Sequence, residues 1–138
     1  SHPAGALGRR LLTYVRDVMR TGDRIPRVTV DTSLIDALRE ISSKQLGMTA
    51  VLDAEGRLQG IFTDGDLRRL LERAADVRSV KLADVMTRNP LTIAPDVLAA
   101  EAAQLMDQRK KNQLLVVDAG GALVGAVSMH DLMAAKVI

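Results

Sequence analysis

The sequence predicts an α/β (α+β) protein made of two β-α-β-β-α repeats, and three observations lead there. Residues 37–67 lie over residues 102–132 without a gap. Within each copy, short β-rich runs alternate with stretches of helical apolar period. The composition is aliphatic: Tyr14 and Phe62 are the only aromatics among 138 residues, 47 % of which are hydrophobic. Such a chain is long enough to bury roughly two thirds of its unfolded surface, and an aliphatic core suits helices layered on sheets.

In the overlay Ala37 falls on Ala102, Ile41 on Met106, Val51 on Val116, Asp53 on Asp118, Gly56 on Gly121, Leu58 on Leu123 and Gly60 on Gly125. Upstream the register shifts while the order persists. "DVM" at 17–19 recurs at 84–86, and "VTV" at 28–30 resembles "LTI" at 91–93. The chain reads as a duplication of a unit of about 60 residues.

Each unit opens with a short strand, 28–30 or 91–93. A helix follows, carried by Leu34, Ala37, Leu38 and Ile41 in the first copy and by Leu98, Ala102, Leu105 and Met106 in the second. Ser33 and Asp96 are the expected N-caps. "TAVLDAEGRLQGIF" and "LLVVDAGGALVGAV" then give two strands joined by a glycine turn. A second helix closes each unit, from about Asp64 to Arg73 and from Met129 to Ala135. One unit alone would leave a sheet face bare, so the copies are expected to pack with pseudo-twofold symmetry.

Charge and composition narrow the function classes. Nineteen Lys and Arg against 17 Asp and Glu leave a net charge of +2, too little for a nucleic-acid partner, and aromatic stacking platforms are lacking. The absence of cysteine removes disulfides, a thiolate nucleophile and a cysteine metal site. No run approaches the roughly 20 apolar residues of a membrane span, so a cytoplasmic protein with no membrane partner and no metal is expected. No G-x-S-x-G or P-loop is present. A start at "SHPAGALGRR" without Met suggests a piece of something longer.

The chemistry-bearing feature is the strand-to-helix turn, "GIFTDGDL" at 60–67 and "GAVSMHDL" at 125–132. Thr63 with Asp66, and Ser128 with Asp131, have the spacing of a capping box. That box prefers Glu or Gln, and the shorter Asp is expected to point outward. A hydroxyl, free amides and a helix N-terminus at the carboxyl edge of a sheet suit a phosphate. An Asp one turn in could accept from both hydroxyls of a ribose, and Gly65 permits close approach. Cap and ligand site both remain open on these residues alone.

The duplication, the two turns and the "DVM" lead-ins together resemble a tandem pair of CBS domains, a regulatory module that binds adenosine and other nucleotides between its repeats. The resemblance covers about residues 15–138, with repeats at 15–79 and 80–138. It implies phosphate contacts at Thr63 and Ser128 and ribose contacts at Asp66 and Asp131, with Asp64, Gly65, Met129 and His130 in the same turns. By position, the base would rest on Thr29, Val30, Met48 and Thr49 in one site and on Thr92, Ile93, Gln113 and Leu114 in the other. Lys111, in the cluster 109–111, and His130 could meet an anion.

Residues 1–14, together with "GMT" at 47–49, are similar to the end of the sugar isomerase (SIS) domain and the CBS pair of the D-arabinose 5-phosphate isomerases. That family interconverts D-ribulose 5-phosphate and D-arabinose 5-phosphate on the way to the Kdo of lipopolysaccharide. The resemblance implies that His2 belongs to the catalytic site of the parent enzyme, while this piece itself is regulatory and not catalytic. It further implies an upstream isomerase domain, a CBS-pair dimer or a tetrameric parent, and a nucleotide effector: CMP-Kdo as feedback signal, with AMP or ATP as the alternative. A ligand-free dimerisation module is the competing reading.

Overall fold

The computed structural model describes residues 6–73 and 76–138. Its elements run α1 (Ala6–Leu12), α2 (Val15–Val18), β1 (Arg27–Thr29), α3 (Leu34–Lys44), β2 (Met48–Leu52), β3 (Leu58–Thr63), α4 (Asp64–Arg73), α5 (Leu82–Val85), β4 (Thr87–Arg88), β5 (Thr92–Ile93), α6 (Ala99–Arg109), β6 (Gln113–Val117), β7 (Leu123–Ser128) and α7 (Met129–Ala134). No helix among the described residues is long and apolar enough to cross a membrane.

The chain divides into two compact units. One is Asp23–Pro90; the other joins Leu91–Ile138 to the described residues up to Gly22. Each repeat's "DVM" lead-in is therefore built into the unit that carries the other repeat.

In the unit Asp23–Pro90 the strand order is β1-β2-β3-β4. β1 runs parallel to β2, and the remaining pairs are antiparallel. A parallel neighbour needs a crossover, which α3 supplies. Leu34, Ala37 and Ile41, spaced one helical face apart, are buried with Val51, Phe62, Leu70, Leu82 and Met86. Ser33 caps α3 as expected, its hydroxyl accepting from the Asp36 amide at 3.1 Å.

The other unit repeats the plan with β5 parallel to β6 and β6 antiparallel to β7. Ala102 and Met106 are buried with Val15, Leu114, Val116, Val127 and Leu132. Here the capping expectation fails. Leu98, not Asp96, is the N-cap of α6 and makes no side-chain cap bond. Backbone takes over: the Ala99 amide donates to the Thr13 carbonyl at 2.8 Å, and Val15 N–H donates to the Val97 carbonyl at 2.8 Å. A passing segment satisfies the helix end, so no capping side chain is needed.

The first strands also correct the expected overlay. Arg27 pairs with Ala50 and Thr92 with Leu115, and Ala50 and Leu115 are equivalent positions. Arg27, not Thr29, is therefore the counterpart of Thr92. A single apolar triplet with a central threonine carries too little pattern to fix its register, and hydrogen bonding to the next strand decides it.

The hairpins between the central strands are built alike. Asp53 Oδ1 accepts from the Glu55 and Arg57 amides, both at 2.9 Å, and Asp118 Oδ1 from the Gly120 and Ala122 amides at 3.0 and 2.9 Å. Gly56 and Gly121 take φ values of 82° and 85°, which glycine adopts without strain.

Gly60 and Gly125 are conserved between the copies for another reason. The lead-ins cross directly over them: Gly60 pairs with Arg88 in β4, and Arg20 bridges Ala126. A Cβ on Gly60 would strike the Thr87 carbonyl oxygen; on Gly125 it would strike Met19 Sδ and come within 3.1 Å of the Arg20 carbonyl oxygen. Backbone cannot step aside as a methionine side chain can. Gly60→Ala is expected to destabilise the fold by about 1–3 kcal/mol and Gly125→Ala by less, measured as urea unfolding midpoints. An unchanged midpoint in Gly60→Ala would contradict this close crossing.

Candidate functional site

The two strand-to-helix turns are closed by the same bonds. At the β3–α4 turn the Asp64 amide donates to the Gly47 carbonyl at 3.1 Å. The Asp66 amide donates to Thr63 Oγ1 at 3.0 Å, and the Thr63 amide donates to Asp66 Oδ2 at 3.0 Å. At the β7–α7 turn the Met129 amide donates to the Asn112 carbonyl at 2.8 Å. The Asp131 amide donates to Ser128 Oγ at 3.0 Å, and the Ser128 amide donates to Asp131 Oδ2 at 3.1 Å. Both are complete capping boxes. The expectation that the shorter Asp points outward is thus wrong, because the N-cap amide lies within reach of even one methylene.

Folding back leaves part of each carboxylate open to other donors, which the lead-ins and, for Asp66, α4 itself supply. Thr87 Oγ1 donates to Asp66, 2.9 Å from Oδ1 and 3.1 Å from Oδ2, and Arg69 Nη2 donates to Oδ1 at 2.8 Å. In the other unit Arg20 Nε donates to Asp131 Oδ2 at 3.1 Å and Arg20 Nη2 to Oδ1 at 3.3 Å. Arg20 and Thr87 each follow the Met of a "DVM" motif, so one position serves both carboxylates. Neither residue was expected at the site; the clue lay in "DVMR" and "DVMT", where a repeated motif ends in two different hydrogen-bond donors.

Of the first three amides in each helix, the first and third are consumed by these bonds. The second, Gly65 or His130, is not used by either cap. His130 itself is exposed, and Met129 packs on the core.

The other expected residues divide into two groups. Met48 pairs with Thr63, and Gln113 with Ser128, so these four stand at the turns. Lys111, exposed at the end of α6, is one residue from Asn112. Met48, Thr49 and Leu114 are buried, and the Thr49 hydroxyl donates to the Ala50 carbonyl at 3.0 Å. Thr29 lies opposite Leu52, at the far end of β2, with its amide bonded to Thr32 Oγ1 at 3.1 Å; Val30 lies beyond it. Thr92 and Ile93 line a different cleft, of about 640 Å³, with Asp96, Val117 and Asp118. His2 lies outside the described residues. Among the described residues no group of His, Cys, Asp or Glu could hold a metal ion.

Burial pushes the Asp131 carboxyl up, but the Arg20 guanidinium and the Ser128 amide and hydroxyl outweigh it and hold the group below its ordinary value. Folding therefore favours the charged form. The stability this provides is complete above the ordinary value of 3.8 and is lost as pH falls through the lower folded value. Asp131→Asn is expected to melt earlier than the parent chain near neutrality, and the gap should close on acidification below 3.8. Thermal midpoints across that range check it; a gap independent of pH would mean that the charge contributes nothing.

Residues 15–73 and 82–138 each match the CBS domain family. The chain is 54 % identical over 138 residues to the arabinose 5-phosphate isomerase KdsD of Pseudomonas aeruginosa and 50 % identical to that of Yersinia pestis. All of this chain is covered in both, and 42 % of each relative, so it spans less than half their length. Among solved structures, the CBS-pair protein CBSX2 from Arabidopsis thaliana superposes with a TM-score of 0.75 at 27 % identity, over 89 % of this chain and 93 % of that one. A structure of CBSX2 in complex with AMP superposes with a TM-score of 0.74 at 28 % identity, over 89 % and 95 %. A repeat visible in the residues, two turns built alike and two separate family matches converge: the chain belongs to the CBS domain family and carries two copies of the domain.

Proposed function

We propose that the chain is the nucleotide-sensing module of an arabinose 5-phosphate isomerase and that its effector is CMP-Kdo, the activated end product of the pathway that D-arabinose 5-phosphate enters. The parent enzyme interconverts D-ribulose 5-phosphate and D-arabinose 5-phosphate. The identity of 54 % to a named isomerase supports the parent, and the AMP complex of a structural relative supports a nucleotide. AMP and ATP are the second choice of effector.

One observation carries the reading: a hydroxyl, an unused helix amide and a carboxylate recur at the same place in both repeats. A phosphate placed at Thr63 would take the hydroxyl and the Gly65 amide at a positive helix end. Ribose hydroxyls would donate to Asp66, replacing donors now drawn from the protein. Ser128, His130 and Asp131 repeat the set at the second turn, which is the alternative place for the nucleotide; there the carboxylate of the sugar acid would meet His130 or Lys111. Met48 and Gln113, opposite the two hydroxyl residues, would flank the base. Residues 1–16 would pass the resulting population shift to the upstream isomerase domain, within a homo-oligomer whose parent carries His2 in its active site.

Calorimetric titration with CMP-Kdo, AMP, ATP and CMP tests the proposal. Saturable heat is expected, lost in only one of Asp66→Ala and Asp131→Ala, and that variant identifies the occupied turn. Silence from all four ligands in a folded chain would favour a module that only assembles the isomerase.

Gly65→Ala separates binding from folding. Its Cβ would meet nothing closer than 3.5 Å, with Thr63 Oγ1 at 3.6 Å, and the change from Gly to Ala in a helix stabilises by roughly 0.5–1 kcal/mol. The variant is expected to melt at or above the parent's temperature while binding weakly, because the methyl group occupies the approach to the turn. Parent-like affinity would place the phosphate elsewhere.

A further inference from the structure

We infer that the two turns are not interchangeable: Arg20 closes the Ser128–Asp131 turn to a ribose, and the Thr63–Asp66 turn alone receives the nucleotide. The inference rests on the turns being nucleotide sites and adds which of them is occupied and why.

A vicinal diol needs both oxygens of a carboxylate. At Asp131 both are taken side-on by one guanidinium, Nε on Oδ2 and Nη2 on Oδ1, the fork geometry that makes Arg–carboxylate pairs strong. The two side chains are 13 % and 15 % exposed. Arg20 is also fixed at its root, since its amide donates to the Ala126 carbonyl at 2.7 Å and its carbonyl accepts from the Ala126 amide at 3.1 Å. Displacing it would strand a part-buried guanidinium as well as open the carboxylate, and breaking a largely covered pair from one side is costly.

At Asp66 the corresponding donors are of another kind. Thr87 offers a neutral hydroxyl, which a ribose hydroxyl can replace like for like. Arg69 reaches Asp66 from the solvent side of α4 with its side chain 65 % exposed, so the guanidinium itself is largely hydrated and can turn back to water when a ligand donor takes its place. Asp66 is the more covered of the two carboxylates, at 7 %, but what covers it can leave. The Arg69 guanidinium lies beside Gly65, 3.5 Å from where a Cβ there would sit, and once displaced from Asp66 it can follow the phosphate. Gly65 against His130 adds the same bias, with no side chain at the one position and an imidazole at the other.

AMP and CMP-Kdo titrations, with backbone amide shifts followed by NMR, test this. One nucleotide per chain is expected, with shifts confined to the turn holding Gly65 and Asp66. Asp66→Asn should weaken binding by at least about tenfold, while Asp131→Asn leaves it within about twofold. Arg20→Thr, which supplies in this unit the residue type that Thr87 supplies in the other, should raise the stoichiometry to two. Two sites in the parent chain, or shifts centred on His130 and Asp131, would overturn the inference and leave the nucleotide reading standing. A stoichiometry of one in folded Arg20→Thr would remove Arg20 as the cause. No heat and no shifts with either ligand would remove the nucleotide reading itself, and this inference with it.

Discussion

A carboxylate sealed at the start of a helix is the constraint on which each unit depends. Asp66 and Asp131 tie together a strand end, a helix start and a lead-in from elsewhere in the chain. A charged group that is largely out of water must be paired and fully hydrogen-bonded, and the neighbouring chain is arranged to do that. The lead-in must pass close enough for Thr87 or Arg20 to reach the carboxylate, which brings its backbone over the preceding strand. Only glycine leaves room there, hence Gly60 and Gly125. Turn, lead-in and glycine form one device, present twice.

On the proposed function, the same device would make a recognition site out of a fold element. Among the bonds that close the turns in the free protein, the Thr87 hydroxyl on Asp66 is one that a ribose hydroxyl could imitate, and the unused amide beside it lies at a positive helix end that suits an anion. Capping and recognition then compete for the same atoms, and the strength of the internal partners decides how easily a ligand displaces them. Duplication supplies two such turns, and a single difference after "DVM", Arg20 against Thr87, would let them diverge without altering either core.

Much of the architecture was legible because it rests on local rules. Helical periodicity set α3 through Leu34, Ala37 and Ile41, and "DAEG" and "DAGG" marked the hairpins through Asp and Gly chemistry that needs no distant partner. Failures came where a distant segment intervened. Asp96 was a sound N-cap on local grounds, yet the Thr13 carbonyl satisfies that helix end. Side-chain length alone sends Asp66 and Asp131 outward, whereas donors from residues 21 and 111 positions away hold them within the protein.

By itself the sequence determined that this is a duplicated, aliphatic α/β chain with two equivalent hydroxyl-and-carboxylate turns, because periodicity, turn residues and repetition are properties of neighbours in the chain. Tertiary structure alone decided that each lead-in serves the unit carrying the other repeat, that Thr92 matches Arg27 rather than Thr29, and that Arg20 and Thr87 hold the two carboxylates. Those outcomes depend on which strand edge a remote segment meets. Hydrogen-bond pairing and burial settle that, and neither is written in the spacing of adjacent residues.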